Sequence, residues 1–357
     1  MALWSRREML GRAGAGLAAA VPATWGQDNH GGPGSGKTPI SLIIDDGGPV
    51  DAMFYMHPGY ETPWIVPNSF TQRVAETFDR FDLHGKLTVL PMPSCLGRID
   101  KSLQRVPQEH VDGFLRIVRE RIAPRFDITP EFLTHLSAYD LKTGKYQHIF
   151  EDVWISRAPL EEIVEYFVLA FQILNNVGLP AAGITSPWDF GIDVEKKYAQ
   201  ALAEAHWKVF GNKLSWYFLY VSEWDQPRKC TMEYAAAERG QVVVSVPANA
   251  ADIFWCMDLP TRAERLQFIN QGIERLAPAD GRLGRIRQLM DGGYPVVLLT
   301  HWQSLYHRGS GLGLEGLTAL MERIQKVFGS SLEWVPITEV ARAALTSARP
   351  RAGPDGG

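Results

Sequence analysis

Short unbroken apolar runs alternate along this chain with longer stretches in which apolar residues recur every three or four positions. The first run, Ile40-Ser41-Leu42-Ile43-Ile44, leads straight into Asp45-Asp46-Gly47-Gly48-Pro49. A run of this kind bounded by turn residues reads as a strand buried on both faces, the habit of a parallel sheet. Phe70, Val74, Phe78 and Phe81 have helical spacing and predict a helix over 69–81. Lys86–Leu90 reads as a second strand, Val106–Ile122 as a helix and Phe126–His135 as a weak third strand. Leu160–Val177 is the clearest helix, with Gly178 as its stop. Further predicted strands are 181–185, Lys208-Val209-Phe210, Val242–Val246, Tyr294–Trp302 and Leu332–Val335. Helices are predicted over 195–205, 262–276, 283–291, 316–328 and 337–345. Strand and helix thus alternate about seven times, which implies a parallel sheet with right-handed crossovers.

The alternation puts chemistry-bearing residues at predicted strand ends: Asp45, Asp46, His135, Asp189 and His301. In α/β barrels and open α/β sheets the carboxyl ends of the strands carry the site. Gly47 and Gly48 are expected to supply the bend that lets two adjacent aspartates serve one site, since neighbours on a regular strand point to opposite faces. The stretch 51–68 holds three prolines and four aromatics. It is too long and apolar for an idle connector and is expected over the mouth of the site, with His57, Tyr60 and Trp64 as candidate ligand contacts.

Composition narrows the partners. The chain has 357 residues, 45% hydrophobic and 21% charged, ordinary for a globular protein. A net charge of −4 gives no electrostatic footprint for nucleic acid. Eleven Trp, eleven Tyr and sixteen Phe include many beside Gly and Pro, where exposed rings suit stacking on sugars. Cys95, Cys230 and Cys256 are too scattered for a disulfide framework or a paired-cysteine metal site.

The first 38 residues read as an address and a linker. Arg6-Arg7 precede an Ala-, Gly- and Leu-rich run, and Val21-Pro22-Ala23 offers small residues for cleavage. The paired arginines resemble the twin-arginine export signal, which implies a periplasmic or secreted protein. The apolar run is too short for a stable membrane span. Gly31–Thr38 satisfies the phosphate-loop pattern letter by letter. No strand feeds it and no helix leaves it, so no nucleotide is expected. Residues 39–346 form the expected domain and 347–357 a loose tail.

Ile44-Asp45-Asp46-Gly47-Gly48-Pro49 resembles the Asp-Asp-Gly motif of the polysaccharide deacetylase (NodB-homology) superfamily. His135 is similar to its second motif, Ser186-Pro187-Trp188-Asp189-Phe190-Gly191 to its proline-aromatic loop, and Leu299-Thr300-His301 to its final Leu-x-His. The resemblance spans residues 40–345. It implies a distorted seven-stranded β/α barrel and an enzyme that removes acetyl groups from N-acetylated sugars with a divalent metal, zinc foremost. The roles it implies are Asp45 as base, Asp46 and His135 as metal ligands, and His301 as acid. Trp188, Asp189 and Trp302 join His57 and Trp64 as substrate contacts.

Two departures stand out. The family has two metal-binding histidines four residues apart, whereas Tyr139 follows His135 at that spacing. Nor does an arginine near Ser186 match the family's third motif. A catalytic zinc keeps three protein ligands; His57, His84, His148 and His301 are the candidates to complete the set, and the alternative is a site without metal. Two other readings stay open: a barrel that binds carbohydrate without hydrolysing it, and a glycoside hydrolase using Asp45 or Asp46 with Asp189.

Overall fold

The computed structural model describes residues 36–52, 65–187, 190–222 and 226–347. His57, Trp64, Trp188 and Asp189, the amino-terminal address and the tail lie outside the described residues. Among the described residues the parallel strands include β1 (Thr38–Asp45), β2 (Gly85–Thr88), β3 (Phe126–Thr129), β4 (Ile184–Thr185), β5 (Leu214–Phe218), β6 (Gln241–Ser245) and β7 (Val296–His301). β1 is central to the first sheet, ordered β7-β1-β2-β3, and its opening residues also pair with Leu332–Trp334. The second sheet orders β6, β5 and β4, with Thr231–Ala236 antiparallel on the β6 edge. The sheets meet at two isolated parallel bridges, Glu131↔Thr185 and Ala250↔Leu298. Thr185 N donates to Pro130 O at 2.9 Å and Leu299 N to Ala250 O at 2.9 Å. The result is a mixed α/β fold of parallel sheets and helices, joined by bridges where a continuous ladder was expected.

Period two along β1 sorts its side chains. Ile40, Leu42 and Ile44 face the main core, into which Phe70, Val74 and Phe78 of α1 (Asn68–Phe81) also pack. Ile43 faces the other way. It joins Trp216 and Phe218 of β5, Val244 of β6, and Val297 and Leu299 of β7 in a second core. Ile337, Val340 and Ala341 of the closing helix, Ile337–Ser347, plug that core. Asp127 accepts from Thr338 N at 2.6 Å and holds the start of this helix. No helix among the described residues is long and apolar enough to cross a membrane.

Two expected elements change. The strand expected at Lys208–Phe210 is the last turn of a helix, Glu195–Phe210, which stops at Gly211 with φ 69°. The helical stripe simply runs on until a residue free to turn left-handed ends it. The strand is Leu214–Phe218 instead. The third strand is also shorter than expected. It ends at Thr129, before Pro130, so His135 sits in an irregular loop.

Candidate active site

β1 delivers Asp45 and Asp46 to its carboxyl end and then separates them. Asp45 keeps strand geometry and turns inward, where its Oδ1 accepts from Lys86 Nζ and, at 3.3 Å, from Thr88 Oγ1. Lys86 is fully buried and also donates to Thr88 Oγ1 at 2.8 Å. Thr88, Thr129 and Thr185 form a triangle of hydroxyls 3.0–3.4 Å apart around this ion pair. An ammonium with no water around it needs a carboxylate and further oxygen acceptors, and this layer provides them.

Asp46 leaves the strand with φ 63°. The bend was expected from Gly47-Gly48, but Asp46 itself takes it. Gly47 serves another purpose, because a Cβ there would lie 2.1 Å from Thr88 O. Only glycine lets the ends of β1 and β2 approach so closely. The left-handed turn aims the Asp46 carboxylate at His135, whose Nε2 lies 2.8 Å from Asp46 Oδ1 and 3.5 Å from Glu131 Oε1. Glu131 Oε2 accepts from Asp46 N at 3.1 Å. All three side chains are at least 95% buried.

The loop from Pro130 to Leu136 is held in an unusual shape. Phe132 and His135 both have positive φ, 47° and 62°. Such conformations persist where the surroundings over-determine them. Phe132 stacks on Phe167 and Phe190 at 5.7 and 5.5 Å between ring centres. Glu151, fully buried, accepts from Leu133 N and Thr134 N at 3.1 Å each and from Tyr166 Oη at 2.6 Å. Burial pushes its carboxyl up to about 7 against these donors.

The electrostatics mark the cluster as a seat for positive charge. Burial would raise the Asp46 pKa, but the charge and hydrogen bond of His135 outweigh it and bring it to about 2. Burial would lower that of His135, yet Asp46 and Glu131 raise it to about 10. Glu131 is pushed well above the carboxylate range by burial and then by Asp46.

His301 ends β7 as the register partner of Asp45. Its Nδ1 lies 2.7 Å from Asp252 Oδ2, which also accepts from His301 N and from Ser304 Oγ. With Nδ1 engaged, Nε2 is left for proton transfer. Burial opposes its charge, but the Asp252 bond and charge, then Asp46 and Asp45, raise its pKa to about 9. Trp255 stands edge-on to the imidazole, 5.0 Å between ring centres.

Of the expected site residues, Asp45, Asp46, His135 and His301 gather at the ends of β1 and β7 and in the loop after β3. Trp302, expected against substrate, is fully buried and packs edge-on to Phe70 and Phe114. It is a core residue, because the chain turns into the short helix Trp302–Tyr306 directly after His301. His84 pairs with Asp82, and His148 is exposed on the strand Lys145–Phe150. Neither belongs to the cluster of Asp46, Glu131 and His135, whose ligand atoms lie within 4.8 Å of one another. The partner four residues from His135 is therefore Glu131 on its amino side, where Tyr139 had been compared on the other. Lys86, a lone cation in a buried strand, and Asp252 were also passed over. Lys86 had a signal in the sequence; Asp252 had none.

No family model matches the chain, and no curated protein matches it. Among solved structures, a protein provisionally named a polysaccharide deacetylase, from Mycobacterium smegmatis, aligns over 96% of this chain and 100% of its own. The TM-score is 0.51 and the identity 13%. The chain shares the fold of that protein. The esterase family 4 domain of a multidomain xylanase from the hindgut metagenome of Trinervitermes trinervoides aligns over 88% of this chain and 94% of its own, with TM-score 0.41 and 10% identity. A family 4 pseudoenzyme from Bacillus anthracis aligns over 85% of this chain and 66% of its own, with TM-score 0.39 and 10% identity. The likeness of fold rests on the first of these.

Proposed function

We propose that the protein is a divalent-metal-dependent deacetylase that hydrolyses N-acetyl groups on a carbohydrate. The observation that carries the reading is the buried cluster of Asp46, Glu131 and His135 beside Asp45 and an Asp252-held His301, on a deacetylase fold. The two sheets, bridged at Glu131↔Thr185 and Ala250↔Leu298, are read as a distorted seven-stranded barrel. A divalent metal fits the donor set: one imidazole nitrogen and two carboxylates from separate segments, buried and close enough to share one ion. Asp46, Glu131 and His135 would hold it, and it would polarise the amide carbonyl and acidify a water.

The remaining chemistry belongs to side chains. Asp45, ion-paired with Lys86, accepts the proton of the attacking water as oxygen bonds to the carbonyl carbon. His301, protonated and oriented by Asp252, gives its Nε2 proton to the amine as the carbon–nitrogen bond breaks. Acetate and a free amino sugar leave. His57, Trp64, Trp188 and Asp189 are proposed contacts for the sugar. Residues 1–38 are proposed as a twin-arginine export signal and linker to the periplasm or beyond, and the Gly31–Thr38 stretch as no nucleotide site.

The test is acetate release from N-acetylated oligosaccharides by the metal-loaded protein. Release that stops in Asp45→Asn and in His301→Gln, with the fold intact, supports the proposal. Carbohydrate binding without release in the wild type would leave a binding barrel instead.

A further inference from the structure

We propose that Glu131 sets the cation preference of this site toward a hard divalent ion of the manganese type. This inference rests on the metal reading above. Glu131 is 2% exposed and each of its oxygens has a task. Oε2 accepts from Asp46 N at 3.1 Å, which fixes the rotamer. Oε1 faces His135 Nε2 at 3.5 Å, inside the cluster of ligand atoms.

Charge and softness argue in the same direction. Lys86 neutralises Asp45, so that carboxylate adds no net charge nearby. Asp46 and Glu131 as anions give the set two negative charges, which a divalent cation cancels. With an imidazole in place of Glu131, one positive charge would be left over in a site with almost no water. Carboxylate oxygens suit magnesium, calcium and manganese, whereas each added imidazole favours zinc, copper and nickel. Zinc still binds N/O sites tightly in general. What Glu131 changes is the ratio, narrowing the advantage of zinc over manganese.

A competing explanation makes Glu131 only a brace for the Asp46 backbone. Glutamine separates the two, since its carbonyl oxygen still accepts from Asp46 N but carries no charge. Metal-stripped full-length protein is titrated with Mn²⁺ alone and with Zn²⁺ alone, by calorimetry and by the shift in melting temperature. The wild type is compared with Glu131→Gln, Glu131→His and Asp46→Asn, each checked for native circular dichroism.

Mn²⁺ affinity should fall about tenfold or more in Glu131→Gln, the order seen when a supporting carboxylate is lost from a metal site. The zinc-to-manganese preference should rise about tenfold or more in Glu131→His, since imidazole favours zinc. Wild-type affinities in Glu131→Gln, or an unchanged zinc-to-manganese ratio in Glu131→His, would overturn the proposal while leaving the metal site standing. No binding of either ion by the wild type, or equal binding by Asp46→Asn, would remove the metal reading and this inference together.

Discussion

Asp45 and Asp46 are neighbours in sequence with opposite surroundings. Asp45 completes a regular strand and lies in a layer with Lys86 and three threonine hydroxyls, where every charge has its complement. Asp46 lies one residue on, in a left-handed conformation, and meets an imidazole and a second carboxylate. The inner layer is satisfied by the protein's own cation. The outer cluster sets two acidic side chains against one histidine, with no lysine or arginine among its three members. One backbone dihedral therefore divides a structural ion pair from a candidate ligand set, and this contrast can be broken from either side.

The largest effect is expected from the inner layer. Lys86→Met leaves the Asp45 carboxylate buried without its partner and should cost about 3–5 kcal/mol. Pairing it with Asp45→Asn should restore most of that loss. Chemical denaturation of the single and double variants checks both statements. Equal stability of Lys86→Met and wild type would mean that the pair is not the inner layer's main support.

Next comes the hinge between the regions. Gly47→Ala places a methyl group against Thr88 O and should force the ends of β1 and β2 apart. Overpacking of this kind costs about 1–3 kcal/mol. Because Asp46 hangs on the same turn, cation affinity should fall along with stability. A variant that loses stability but binds cation as before would separate the two regions.

Much of this arrangement was legible in the sequence. The apolar run into Asp45-Asp46, the long amphipathic helices and His301 at the end of a strand follow from periodicity, which burial enforces. The misreadings have physical causes. Lys208–Phe210 reads as a strand, but helical packing continues to Gly211. Trp302 reads as a cleft aromatic, but the turn after His301 sends it into the core. Glu131 reads as part of the third strand, but that strand ends at Thr129 and the loop after it folds Glu131 back beside His135. Asp252 reaches His301 across 49 residues of chain, and no local pattern encodes a contact of that separation.

A subtler test concerns His301. Its folded pKa of about 9 lies above the ordinary 6.5, so the Asp252 pair stabilises the imidazolium. That stability is fully present below about pH 6.5 and is lost as pH rises through about 9. Wild-type hydrolysis should therefore keep its proton donor up to about pH 9. In Asp252→Asn the alkaline limb should retreat toward the ordinary histidine range, followed by rate profiles and by NMR titration of His301. An unmoved limb would show that Asp252 does not hold the proton. The smallest effect is expected at Lys37, exposed just before β1. Lys37→Ala should change neither stability nor cation binding, and equilibrium dialysis with ATP should show no saturable binding before or after it.

The central claim is that Asp46, Glu131 and His135 share one divalent cation. Calorimetric titration of the metal-stripped protein with Mn²⁺, beside Asp46→Asn, tests it most directly. The account predicts one site per chain in the wild type, and stabilisation of about 2.7 kcal/mol when free cation is a hundred times the dissociation constant. It predicts no such heat and no such stabilisation in Asp46→Asn. A wild type that takes up no cation, or an Asp46→Asn protein that takes it up equally well, would contradict the claim.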